Sequence, residues 1–155
     1  MGAVLDRLVR VHLMVMIVLY VIVIAVVFLQ VVYRYVLHTG LLWSGDVAVA
    51  AFLWLAFLAT AYVVRRRADF VIDLMPRDLS PAVEIAVRSL SELASLAIIL
   101  VLLYYGWLFT LISIPSFTPA LGISRAWIAA SIPVSGVLAL IYWLSGVRDA
   151  VVAPR

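Results

Sequence analysis

The sequence predicts an all-α integral membrane protein with four transmembrane helices, and three observations carry that reading. Four runs contain no Asp, Glu, Lys or Arg: 23 residues between Arg10 and Arg34, 18 between Asp46 and Arg65, 32 between Glu92 and Arg125, and 22 between Arg125 and Arg148. Each reaches the roughly 18–20 residues that a helix needs to cross the hydrocarbon core. The runs are continuously apolar rather than alternating, which selects helices over the strands of a barrel. Finally, 68% of the 155 residues are hydrophobic, and the longest polar interval, Arg65 to Glu92, is too short to hold a soluble core. Residues 1–155 are therefore read as one four-helix domain, with helices at about 11–32, 47–64, 82–112 and 126–144.

The first helix is rich in Val, Ile and Leu, a composition suited to lipid. Its apolar run is too long for a signal-peptide core and ends in Gln30, Tyr33, Arg34 and Tyr35 with no small-residue cleavage site, so it is expected to stay in the mature protein. Tyr33 and Tyr35 bracket Arg34 as amphipathic rings and a snorkelling cation do at an interface. His38-Thr39-Gly40 turns the chain. Trp43 re-enters the interface, Ser44 is read as the N-cap of the second helix, and Asp46 falls in its first turn. Arg34 and Asp46 are thereby brought to the same side at similar depth, where they can tie the two helices across the short turn or each snorkel to water.

The second helix is expected to end at Arg65-Arg66-Arg67, a topology and lipid signal. A polar connection from Asp69 to Pro81 follows, with Ser80-Pro81 as N-cap and first residue of the third helix. Glu84, Arg88 and Glu92 stand four apart and share one face. The third helix thus begins amphipathic and interfacial, since a straight helix over 82–112 would be about 46 Å long against a core of about 30 Å. Pro115, Pro119 and Gly122 make the next turn. In the last helix, Pro133 is expected to kink the backbone. Ser131, Ser135 and Ala139 form a strip of small residues on which a helix of this chain or of a partner can approach closely.

All 11 basic residues are Arg. Assigning both termini and the central connection to one side places Arg7, Arg10, Arg65, Arg66, Arg67, Arg77, Arg88, Arg148 and Arg155 there, against Arg34 and Arg125 on the other. The positive-inside rule then predicts cytoplasmic N- and C-termini. With the Arg residues flanking the apolar runs, the net charge of +3 is read as topology and lipid contact, not nucleic-acid binding.

The chemistry is negative. With no cysteine, thiolate sites and disulfides are excluded. No charged residue lies within the four runs, whereas ion coupling needs a group that binds and releases charge. No catalytic, cofactor or metal residues are assigned, and the chain is not read as an enzyme. His12 and His38 lie at opposite ends of the first helix, both expected to be interfacial or solvated. They cannot bridge one haem, which argues against the alternative of a membrane anchor subunit of a redox enzyme complex.

Several motifs recur in order: Arg34-Tyr35, then Trp43-Ser44-Gly45-Asp46, then Phe52-Leu53-Trp54-Leu55-Ala56-Phe57-Leu58, then Arg65-Arg66 and Asp73-Leu74. Thr118-Pro119-Ala120-Leu121-Gly122-Ile123, Trp127, Pro133 and Gly136 follow. In these the chain resembles the small membrane subunit (DctQ-like, small permease) of tripartite ATP-independent periplasmic (TRAP) transporters. Two departures are Gly45 in place of an acid and Arg67-Ala68-Asp69 in place of Gly-His. The resemblance implies a non-catalytic scaffold for a large permease that carries the substrate and sodium sites. A periplasmic solute-binding protein would deliver the substrate, commonly an organic acid. The partner and scaffold residues expected here are Arg34, Tyr35, Trp43, Ser44, Asp46, Trp54, Ser131 and Ser135, with Arg65, Arg66 and Arg67 as a topology stop that can also contact anionic lipid or a partner.

Overall fold

The computed structural model describes residues 2–74 and 81–152, with side chains for residues 5–66, 83, 85–87 and 89–147. It contains helices α1 (Gly2–Tyr35), α2 (Leu42–Leu74), α3 (Pro81–Ser113), α4 (Ala126–Ala129) and α5 (Ser131–Val152). Four stretches are long and apolar enough to cross a membrane: Leu5–Tyr35, Leu42–Arg66, Ile85–Ser113 and Ala126–Val147, the last formed by α4 and α5 together. Among the described residues the one β feature is an isolated bridge between Phe117 and Ser124.

The helices outrun their apolar runs. α2 continues through Arg65-Arg66-Arg67 to Leu74, so the segment from Asp69 to Leu74 is helical and not a connection. The physical reason is that Arg is a good helix former: its charge ends a hydrophobic run without ending the backbone hydrogen bonding. α1 likewise starts at Gly2, upstream of Arg7 and Arg10. α3 is unbroken from Pro81 to Ser113. The proposed cap at Ser80 and the side chains of Glu84 and Arg88 lie outside the described residues.

α1 ends where His38 adopts φ of +52°. The left-handed residue reverses the chain, and the Thr39 amide N–H donates back to the Tyr33 carbonyl at 3.1 Å. α2 begins at Leu42, two residues ahead of the expected cap. Ser44 therefore sits inside the first turn, and its hydroxyl donates to the Leu41 carbonyl at 2.7 Å. The kink expected at Pro133 appears as the interruption at Ala130 that separates α4 from α5. Proline at 133 has no N–H to give to the preceding turn. Continuity is kept on either side by Ala130 N–H to Ala126 O and Val134 N–H to Ala130 O.

In space the helices run α1, α2, α5, α3, each packing chiefly on its neighbours in that order, with α4 touching α2 and α3. This is an open row. The most apolar stretch of α1 includes no buried residue. The core sits where α2, α3 and α5 converge on Ala61, Ile99 and Ala139, with Leu103, Leu138 and Trp143 packed around them. Small residues let the axes close: a Cβ on Gly106 would stand 2.6 Å from Ile132 Cγ2, and one on Gly136 would stand 3.0 Å from Leu103 Cδ2. Each glycine thus receives a side chain of the opposite helix, which locks α3 onto α5.

Candidate functional site

Among the described residues, the polar side-chain contacts that join different elements gather in two places, one at the end bearing the turns 36–41 and 114–125 and one near the opposite end. At the turn end, the segment between α3 and α4 bonds to itself. Thr118 N–H donates to the Ile123 carbonyl at 2.9 Å and Arg125 N–H to the Ser116 carbonyl at 2.7 Å. The Ser124 hydroxyl donates to the Ile114 carbonyl at 2.9 Å. Gly122, at φ of +63°, makes the reversal; a side chain there would strain the turn.

Asp46 fastens this turn to α2. Its Oδ2 accepts the Ala120 N–H at 3.0 Å and the Leu121 N–H at 3.4 Å. Farther along α2, the Trp54 indole N–H donates to the Trp127 carbonyl at 3.1 Å. Asp46 and Trp54 together join α2 to the second turn and to α4. Arg34 is not part of that arrangement: its guanidinium lies over the ring of the adjacent Tyr35, 5.8 Å from the centroid. An Arg34–Asp46 tie is thus absent among the described residues, because the carboxylate has a nearer pair of backbone donors. Trp43 and Tyr35 are exposed, whereas Ser44 is completely buried.

A groove of about 730 Å³ opens at the same end between α2 and α3. Asp46, Thr118 and Arg125 line its mouth, Leu53, Phe57 and Phe109 its walls, and Ala129 and Ile132 its floor. It continues at Phe57, Phe109 and Ile132 into a second hollow that reaches Val101 and Gly106.

Ser131 and Ser135 are buried within the chain. Their hydroxyls donate three residues back along the chain, Ser131 to Ile128 O of α4 at 2.7 Å and Ser135 to Ile132 O of α5 at 2.8 Å. With Ala139 in the core, the small-residue strip faces the interior of this chain.

The second polar cluster was not expected. His12, read as interfacial or solvated, is 4% exposed. Its Nε2–H donates to the Leu58 carbonyl of α2 at 3.1 Å, and its Nδ1 accepts the Tyr142 hydroxyl of α5 at 2.9 Å. The carbonyl acceptor calls for a proton on Nε2, and in the neutral ring Nδ1 is then the acceptor of the tyrosine hydroxyl. Tyr142 stacks on the imidazole at 5.7 Å, and Tyr62 meets it edge-on at 6.2 Å. The Tyr62 hydroxyl in turn accepts Arg66 Nε–H at 3.2 Å. His12 therefore pins α1 to both α2 and α5. A histidine with two tyrosines in apolar runs was the only signal in the sequence, and one of its partners is a backbone carbonyl that no sequence pattern marks. Arg65 and Arg66 sit in α2 beside this cluster; the Arg67 side chain lies outside the described ones.

The chain matches the family model described as "Tripartite ATP-independent periplasmic transporters, DctQ component" over residues 23–152. No curated protein matches it.

Proposed function

The chain belongs to the DctQ component family of tripartite ATP-independent periplasmic transporters, and from that premise we propose that it is the small, non-catalytic permease subunit of such a transporter. In this reading it is a multi-pass protein of the bacterial inner membrane with both termini in the cytoplasm. It scaffolds a large permease that couples sodium entry to uptake of an organic acid, which a periplasmic binding protein delivers. The chain itself carries no cofactor.

The observation that carries the proposal is the combination of an open helix row with an inert interior. Among the described residues, His12 spends its hydrogen bonds within the chain on Leu58 and Tyr142, as do Ser131 on Ile128 and Ser135 on Ile132. A self-sufficient ion-coupled carrier needs an intramembrane group that can take and release charge, and the four runs contain no Asp, Glu, Lys or Arg. Meanwhile Ile17, Val21, Ile24 and Phe28 of α1 and Leu100, Tyr104 and Trp107 of α3 are exposed. Apolar faces this extensive on both ends of the row supply lipid contact and a seat for a larger membrane subunit. The redox-anchor alternative gains no support, since His12 commits both ring nitrogens to its own chain and His38 lies at the far turn.

Reconstitution tests this. In liposomes with a sodium gradient, the lone chain should accumulate no organic acid. Uptake should require the large permease and the binding protein, and the chain should co-purify with that permease through high-salt washes. Gradient-driven uptake by the lone chain would overturn the reading.

A further inference from the structure

We infer that the groove between α2 and α3 is a phospholipid site. It seats an acyl chain of the leaflet at the turn end, with the lipid phosphate on the Arg125 guanidinium.

The first argument is depth. Arg125 immediately precedes the membrane-crossing stretch Ala126–Val147, and Asp46 immediately precedes the charge-free run of α2. Both therefore stand where the hydrocarbon core gives way to headgroups. From that level the groove descends along α2 as far as Phe57, about 17 Å at the helical rise of 1.5 Å per residue. Half of a hydrocarbon core of about 30 Å is about 15 Å, so the groove matches one leaflet.

The second argument is lining. Val49, Leu53, Phe57, Phe109, Ile112 and Ile132 make the walls apolar, the kind of surface an acyl chain covers. Access is lateral, because Val49, Phe109 and Ile112 on its walls are exposed.

The third argument is charge. Among the described residues the Arg125 side chain has no hydrogen-bond or ion-pair partner; the residue is held through its backbone, its N–H donating to the Ser116 carbonyl and its carbonyl accepting the Ile128 and Ala129 N–H groups. The neighbouring carboxylate of Asp46 is different, because its Oδ2 is committed to the Ala120 and Leu121 N–H groups. The mouth of an apolar slot thus presents a planar fork of donors at headgroup depth, and a guanidinium binds phosphate oxygens in pairs.

The experiment uses the full chain in vesicles of phosphatidylethanolamine and phosphatidylglycerol doped with a phospholipid carrying a diazirine midway along one acyl chain. Because no permease is present, its outcome is independent of the transporter reading. Photolysis followed by peptide mapping should label residues 105–112 and 128–132 well above the exposed face of α1, which reports ordinary annular lipid. Arg125→Gln should reduce that labelling about tenfold, the loss expected for one charge-assisted phosphate contact. Arg125→Lys should retain most of it, and Ile112→Trp, which fills the slot from an exposed position, should abolish it. Labelling of α1 should be unchanged in every variant. If Arg125→Gln gives no folded protein, the Ile112→Trp comparison decides. Equal labelling of groove and α1, or a groove signal indifferent to these substitutions, would overturn the inference. So would a protein cross-link in place of a lipid one at the same residues when the large permease is added.

Discussion

At the scale of single residues, His12 is the most consequential side chain in the molecule. A buried polar group in an apolar surround is tolerable only when it is hydrogen-bonded, and His12 bonds through both ring nitrogens to two other helices. Tyr142→Phe removes one of those bonds and leaves Nδ1 without a donor, a cost of about 1 kcal/mol. His12→Ala also strands the Tyr142 hydroxyl and opens a cavity under the ring, and should cost about 2–4 kcal/mol. Thermal unfolding in detergent should therefore rank wild type above Tyr142→Phe and both above His12→Ala. In a double-mutant cycle the two changes should be strongly non-additive, because they remove the same contact. His38 is the opposite case. Its left-handed backbone conformation strains a residue with a Cβ, so His38→Gly should be neutral or stabilising by up to about 1 kcal/mol, and His38→Val destabilising. The same melting experiment reads both.

Between elements, the contact of α3 with α5 rests on Gly106 and Gly136. A methyl at Gly106 would collide with Ile132 and approach Pro133 Cδ to 3.2 Å. Gly106→Ala should therefore cost about 1–3 kcal/mol through overpacking. Ile132→Ala added to it should recover part of the loss, although on its own it would be destabilising. Such sign reversal in a melting series would identify the helix pair as the site of strain. The link between α2 and the second turn is a different joint, made by the Asp46 carboxylate. Asp46→Ala should loosen the turn, seen as faster proteolysis within residues 114–125, whereas Asp46→Asn keeps an acceptor and should do so less. Since Arg34 lies over Tyr35 and not on Asp46, exchanging the two charges should give no mutual rescue. The double swap Arg34→Asp/Asp46→Arg should assemble no better than the poorer single variant.

For the molecule as a whole, the nine-to-two division of Arg that the four-span reading assigns to the two sides makes orientation testable. Reporter fusions at residues 38 and 155 should lie on opposite sides of the membrane, with residue 155 cytoplasmic. Replacing Arg65, Arg66 and Arg67 together should lower correctly oriented insertion, because they hold a third of the inward bias. Fusions found on one side would refute the helix count or the orientation. The row α1–α2–α5–α3 also bears on assembly. A four-helix bundle closed on itself would hide its apolar stripes, whereas this row leaves α1 attached along α2 and through His12. His12→Ala should accordingly impair co-purification with the large permease more than Tyr142→Phe, in the order of their stabilities, if the permease reads the position of α1.

The sequence by itself determined the count of spans, their approximate ends and the four long runs free of Asp, Glu, Lys and Arg. Those properties follow from the cost of placing charge and unpaired backbone in hydrocarbon, which acts locally on each run. It misjudged where helices stop: Arg65, Arg66 and Arg67 leave the apolar run while α2 continues to Leu74, since interfacial charge does not oppose helical hydrogen bonding. It also left the partners of polar residues open. The acceptor of the His12 N–H is the carbonyl of Leu58 and the donors to Asp46 are the amides of Ala120 and Leu121. Every residue has such backbone groups, so nothing in the residue types announces which ones a side chain will meet. Whether Ser131, Ser135 and Ala139 face inside or out was equally undecided, because a strip of small residues suits either contact. Only the tertiary order of the helices resolves it, setting α5 between α2 and α3. In that order α2 and α3 converge on Ala61, Ile99 and Ala139 near one end, and the groove beneath Arg125 opens between them at the other.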